Sequence, residues 1–177
     1  MSHSFNTVAN ISLQVFPTAD VIPSARFGNE MSQWFDMWST EDPHERSNVQ
    51  SESLGSAVAK LSHIIKEECR VVGGSENVFL AGISQGCATA ICALMREQAP
   101  FAGFIGLSSW MPTREVLTQT SASKTPVFLS HSRDDEVIAI KYGEDLRDCL
   151  VQHGMHVEWH SYEDGGHWVT EPQGIGK

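Results

Sequence analysis

The 177-residue sequence has no run of lysine or arginine. Its 12 basic residues are scattered among 22 acidic ones, for a net charge of −10. Grip on a phosphate backbone needs clustered cations, so the composition argues against nucleic-acid binding and against electrostatic docking on anionic lipid. The four cysteines (Cys69, Cys87, Cys92 and Cys149) include no Cys-x-x-Cys pair and no regular spacing. That argues against a zinc site or a disulfide framework and suits free thiols in a reducing interior. No apolar run is long enough to span a membrane, and "MSHSFNTVAN" lacks the apolar centre of a signal peptide. The expectation is a cytoplasmic protein without stable membrane insertion. Repeats and low-complexity tracts are lacking too.

What the sequence does hold is enough apolar residue for a core: 41% hydrophobic against 19% charged. At this length the composition suits one domain over residues 1–177. "ISLQVFP" (11–17) alternates and predicts a strand ended by Pro17. A long irregular stretch follows, and its aromatic cluster "WFDMW" (34–38) argues that it is ordered. From about Ser53, Leu54, Val58, Leu61, Ile64 and Ile65 recur at helical spacing, with Gly73-Gly74 as the stop.

"NVFLAG" (77–82) predicts a strand buried on both faces, and residues 84–98 a helix ended before Pro100. Cys87 and Cys92 fall in that Ala-rich helix as small buried side chains. "FAGFIGLSS" and, from Pro126, "PVFLSH" predict two further buried strands. Residues 137–153 predict an amphipathic helix stopped by Gly154, and "HVEWHSY" a last strand. Strands alternating with helices predict parallel β-α-β units in a doubly wound sheet.

Within this frame, "GISQG" (82–86) joins a strand to a helix, the setting of a nucleophile elbow. The turn would hold the Ser84 hydroxyl at the strand's carboxyl end, beside the positive end of a helix dipole. The backbone N–H of Gln85 would face a developing oxyanion. A serine hydroxyl needs a base at neutral pH, and in this strand-turn-helix setting the partners follow in the order serine, acid, histidine.

Of eight histidines, His167 in "EDGGHW" follows the last strand on a glycine-rich loop. His153, His156 and His160 lie in or beside the preceding helix and strand. His3, His44 and His63 precede the serine. His131 is the rival base, but it precedes every plausible acid. "HSRDDEV" offers Asp134, Asp135 and Glu136 as the acid, and one of them would also cap the helix at Val137. Pattern alone does not choose between Asp134 and Asp135.

The stretches "FPTADVIP", "MSQWFDMW", "VFLAGISQGCATA", "GLSSWMP", "VFLSHSRDDEVI" and "SYEDGGHW" resemble the acyl-protein thioesterase / lysophospholipase-carboxylesterase family of α/β-hydrolases, over nearly the whole chain from Ile11. The resemblance implies a mostly parallel sheet flanked by helices. It lays the family's His-Gly-x-x-Asp loop on "HSRDD", selecting Asp135 and putting Ser132 where the glycine stands. The implied catalytic residues are therefore Ser84, Asp135 and His167, with Gln85 as oxyanion donor.

The implied chemistry is hydrolysis of fatty-acyl thioesters on proteins, or of carboxylic and lysophospholipid esters, without cofactor or metal. The expected partner is thus an acylated protein or a lipid-derived ester. Trp34, Phe35, Trp110 and Met111 are candidates for the wall of an acyl groove, against ordinary core packing. Asp36 reads as a loop hydrogen-bonding residue. Family members also begin with an apolar strand and a His-Gly-x-Gly loop that supplies a second oxyanion N–H, and end with a helix. Neither is legible here, so the expectation is a fold truncated at both ends, at a cost of about 10²–10³ in rate for one lost donor. A relic that keeps the fold, or an esterase for short soluble esters, are the competing expectations.

Overall fold

The computed structural model describes residues 13–114 and 121–168. In chain order the elements are β1 (Val21–Pro23), β2 (Glu30–Ser32), α1 (Ser47–Val72), β3 (Phe79–Ile83), α2 (Gln85–Leu94), β4 (Gly103–Leu107), β5 (Val127–Ser132), α3 (Ile140–Gln152) and β6 (Val157–Tyr162). Strands β3, β4, β5 and β6 form one parallel sheet in that order, and β1 and β2 a separate antiparallel pair. The expected mostly parallel sheet with helices is thus present.

Its winding differs from the expectation. Strands added successively on one side, through right-handed crossovers, carry their helices to one face rather than two. Helix α2 packs on the face of Leu80, Gly82 and Gly106, and α3 meets Trp159 and His131 on that same face. Among the described residues, then, the sheet is not doubly wound.

This corrects the reading of β3 as buried on both faces. Phe79 is 53% exposed, and Ile105, two positions along the same face of β4, is exposed as well. An apolar run records what a strand tolerates, while burial depends on elements far off in the chain. The strand predicted over 11–17 is also not found: residues 11 and 12 lie outside the described residues, and Leu13, Val15 and Phe16 are exposed coil. Alternation without a neighbouring strand has no ladder to join.

The helix predicted from Ser53 begins at Ser47, directly after Arg46 in a left-handed conformation (φ 51°), and ends as expected at Gly73 (φ 85°). Its Leu54, Val58, Leu61 and Ile65 are buried, each worth about 1.5–3 kcal/mol. They pack against α2, in which every residue from Cys87 to Leu94 is buried.

Small residues let α2 lie tight on the sheet. A Cβ at Gly82 would come within 2.5 Å of the Cys87 backbone nitrogen, and one at Gly106 within 2.7 Å of Cys87 Sγ. This close packing fixes where the start of α2 points. No helix among the described residues is long and apolar enough to cross a membrane.

Candidate active site

Strands β3, β5 and β6 run parallel, so the loops leaving their carboxyl ends open on one edge of the sheet. Ligands in open α/β sheets bind at that edge. Ser84 follows β3, Asp135 follows β5 and His167 follows β6.

Ser84 sits at φ 53°, ψ −127°, a conformation that costs a residue with a side chain about 1–3 kcal/mol. Three bonds to its backbone groups, two from backbone and one from a side chain, hold it there. Its N–H donates to the Leu107 carbonyl (2.9 Å), while its own carbonyl accepts from the Ala88 N–H (3.0 Å) and the Ser109 hydroxyl (2.8 Å). Gln85, the next residue, opens α2; a first-turn N–H has no acceptor within its helix. The Ser84 hydroxyl itself makes no hydrogen bond among the described residues. The Cys87 thiol nearby is no rival nucleophile, because burial pushes it up to about 12.

Asp135 is fully buried and both carboxylate oxygens are used. Oδ1 accepts the N–H groups of Val137 and Ile138, each at 2.9 Å. Oδ2 lies 2.8 Å from His167 Nδ1 and 3.1 Å from His131 Nε2. The capping role expected of this loop is not filled: Val137 and Ile138 lie in the turn before α3, whose N-cap, Ala139, has no side-chain cap bond. His167 keeps 19% of its side chain exposed against 1% for His131. With His167 Nδ1 on the carboxylate, Nε2 is the nitrogen free to face a substrate. His131, the rival base, is sealed in and cannot play that part.

Asp134 has a separate function that the sequence reading missed. Its oxygens accept the N–H groups of Gly165 (3.3 Å) and Gly166 (2.8 Å), tying down the loop that carries His167. Ser132 and Arg133 add bonds to the Asp164 and Tyr162 carbonyls. The paired aspartates beside paired glycines were the only signal of this clamp.

The Gln85 side chain was likewise missed. Its Oε1 accepts the Trp34 N–H (2.9 Å) and its Nε2 donates to the Phe35 carbonyl (2.9 Å). The irregular stretch is thereby fastened to the elbow, as its aromatics implied. Asp36 accepts the Ala25 N–H, the loop role expected of it.

The four groove candidates separate. Phe35 and Trp110 are fully buried and meet edge-on in the core, 6.0 Å between ring centres. Packing, not a groove wall, accounts for both. Trp34 stays half-buried, its indole nitrogen 3.5 Å from where a Gly86 Cβ would lie. Met111 lines a cleft of about 690 Å³, shared with Leu54, Val58 and Met95, beside the far end of α2 from Ser84.

A parallel sheet, a strained serine between strand and helix, and an acid–histidine pair on later loops define the class of α/β-hydrolase serine esterases and thioesterases. The phospholipase/carboxylesterase family matches residues 2–173, and the chain belongs to it. It is 33% identical to acyl-protein thioesterase 1 of Yarrowia lipolytica over 159 residues, 84% of this chain and 67% of that protein. It is 30% identical to the carboxylesterase SOBER1 of Arabidopsis thaliana over 164 residues, 90% of this chain and 71% of that one. The crystal structure of Arabidopsis SOBER1 matches with a TM-score of 0.79 and 28% identity, over 88% of this chain and 76% of that one. The chain thus spans about two thirds of the length of these curated relatives.

Proposed function

We propose that this chain, acting as one domain over residues 1–177, is a serine hydrolase that transfers an acyl group through Ser84, His167 and Asp135. Ser84 Oγ attacks the acyl carbonyl while His167 Nε2 takes its proton. His167 then returns the proton to the departing thiol or alcohol, and Asp135 holds the ring and stabilises its charged form. The Gln85 N–H donates to the tetrahedral oxyanion. Water activated by His167 next attacks the acyl-enzyme, frees the acid and regenerates Ser84. No cofactor enters this scheme.

The observation that carries it is the 2.8 Å bond between Asp135 and His167, on the same sheet edge as a strained serine. The likeness to a protein named acyl-protein thioesterase 1 favours fatty-acyl thioesters on proteins as substrates, with lysophospholipid and carboxylic esters next. Free thiols at Cys69, Cys87, Cys92 and Cys149 suit a cytoplasmic setting.

A fluorophosphonate probe tests the chemistry. Folded wild-type protein should label at Ser84, and Ser84→Ala should abolish labelling and lower turnover about 10⁶-fold. Folded wild-type protein that stays unlabelled would overturn the reading in favour of a non-catalytic relic.

One observation favours a second reading, an esterase for short soluble esters. With Phe35 and Trp110 in the core, Trp34 is the one candidate aromatic left beside the elbow. A long chain gains about 0.8 kcal/mol for each buried methylene. Thioester turnover that rises with acyl length therefore supports the first reading, and a short-chain preference the second.

A further inference from the structure

We infer that His131 is a positioning residue for Asp135, a second imidazole that pins the carboxylate oxygen used by His167. The inference rests on the triad proposed above. His131 Nε2 lies 2.8 Å from the Ile138 carbonyl and 3.1 Å from Asp135 Oδ2. Both neighbours are acceptors, so Nε2 carries the hydrogen and shares it between them. Nδ1 then holds only a lone pair. It is buried, finds no hydrogen-bond partner among the described residues, and abuts Gly143 of α3, where a Cβ would run into it.

The site is shaped for a ring with one donor. Burial is the main cause that holds the His131 ring below its ordinary proton affinity; Asp135 and His167 are the ionisable groups acting on it, with opposite signs. A neutral His131 lends a hydrogen bond without a charge. A cationic one would neutralise Asp135 and weaken the stabilisation of His167 when that ring takes the serine proton. Three hydrogen bonds to Asp135, with the His131 Nε2 contact at 3.1 Å beside them, also stop its carboxylate from turning. Two donors are backbone and the third is the catalytic ring, which leaves His131, among the described residues, as the one side chain outside the triad set against Oδ2.

The test uses the whole chain and compares His131→Leu, which deletes the donor, with His131→Gln, whose amide nitrogen reaches about as far as Nε2. With fold checked by circular dichroism, His131→Leu should lower kcat about 10–100-fold on a soluble ester while KM stays within about twofold. His131→Gln should recover most of that loss. An unchanged kcat in His131→Leu, or equal losses in both variants, overturns the proposal.

Nitrogen-15 NMR of the wild-type histidines decides independently, even should neither variant fold. His131 is expected neutral with hydrogen on Nε2 from pH 6.5 to 8. A His131 ring that is protonated in that range, or carries its hydrogen on Nδ1, overturns the proposal. Fluorophosphonate labelling of wild type separates the two levels: if it fails, the triad reading falls, whereas labelling with wild-type kcat in His131→Leu removes only the role of His131.

Discussion

The elbow after β3 and the paired loops after β5 and β6 reach a fixed geometry by opposite means. At the elbow the backbone does the holding: a left-handed serine, a strand behind it, a tightly seated helix ahead, and bonds to the Leu107 carbonyl and Ser109 hydroxyl. In the paired loops side chains do it, across a gap of some thirty residues, with Asp134 on Gly165 and Gly166 and Asp135 on His167. A backbone device is written in consecutive residues and resists side-chain substitution. A side-chain device is dispersed, and one substitution can undo it.

The largest effect that would sharpen this contrast comes from Asp135→Asn. The amide keeps one acceptor oxygen, but it also presents an N–H₂ group either to two backbone N–H donors or to two rings. His167 loses its anionic partner and its fixed tautomer. Turnover should fall about 10⁴-fold, measured on a soluble ester, while the elbow keeps its strained backbone. A fall below tenfold would mean that the carboxylate does not orient the base.

Asp134→Ala comes next. It removes two backbone anchors of the His167 loop and leaves every proposed reacting group in place. A displacement of about 1 Å at the base is worth roughly 10²-fold, so kcat should drop about 10–100-fold. Because the carboxylate is exposed, stability should change by no more than about 1 kcal/mol. Equal kcat in Asp134→Ala and wild type would mean that the loop holds its shape by other bonds.

The same contrast explains what was legible beforehand. Ser84, Gly82 and the strand and helix around them are contiguous, so their pattern could be read directly. Asp135 and His167 could be named, but as separate loop residues whose meeting no local pattern records. In the sequence Asp134 and His131 read only as a rival acid and a rival base. Their work as clamp and pin depends on which loop lies opposite, a fact of tertiary structure. Phe35 and Trp110 failed as groove candidates for the same reason: an aromatic on a loop carries no mark of which side it turns to. The open face of β3 and β4 is the clearest case, since Phe79 and Ile105 are apolar enough for burial yet, among the described residues, stay 53% and 37% exposed.

The smallest effect is a pH dependence confined to one of the two regions. The His131 ring has its proton affinity lowered by burial, from an ordinary value of 6.5. Between that value and the lower folded one, the unfolded chain binds a proton that the native chain does not. Stability therefore falls as pH drops through about 6.5, with a slope of at most about 1.4 kcal/mol per pH unit from one group. Asp135 and His167 are the ionisable neighbours acting on this ring, and both remain in His131→Gln, so the difference between the two proteins isolates the ring itself. Urea unfolding from pH 7 to 5 should give a shallower decline for His131→Gln than for wild type. Amide exchange in the acidic samples should rise in the loops after β5 and β6 before it rises around Ser84, where the holding groups are backbone and hydroxyl and do not titrate. Equal slopes would mean that the buried ring accepts a proton without cost, and the contrast between a backbone-held elbow and side-chain-held loops would lose its electrostatic half.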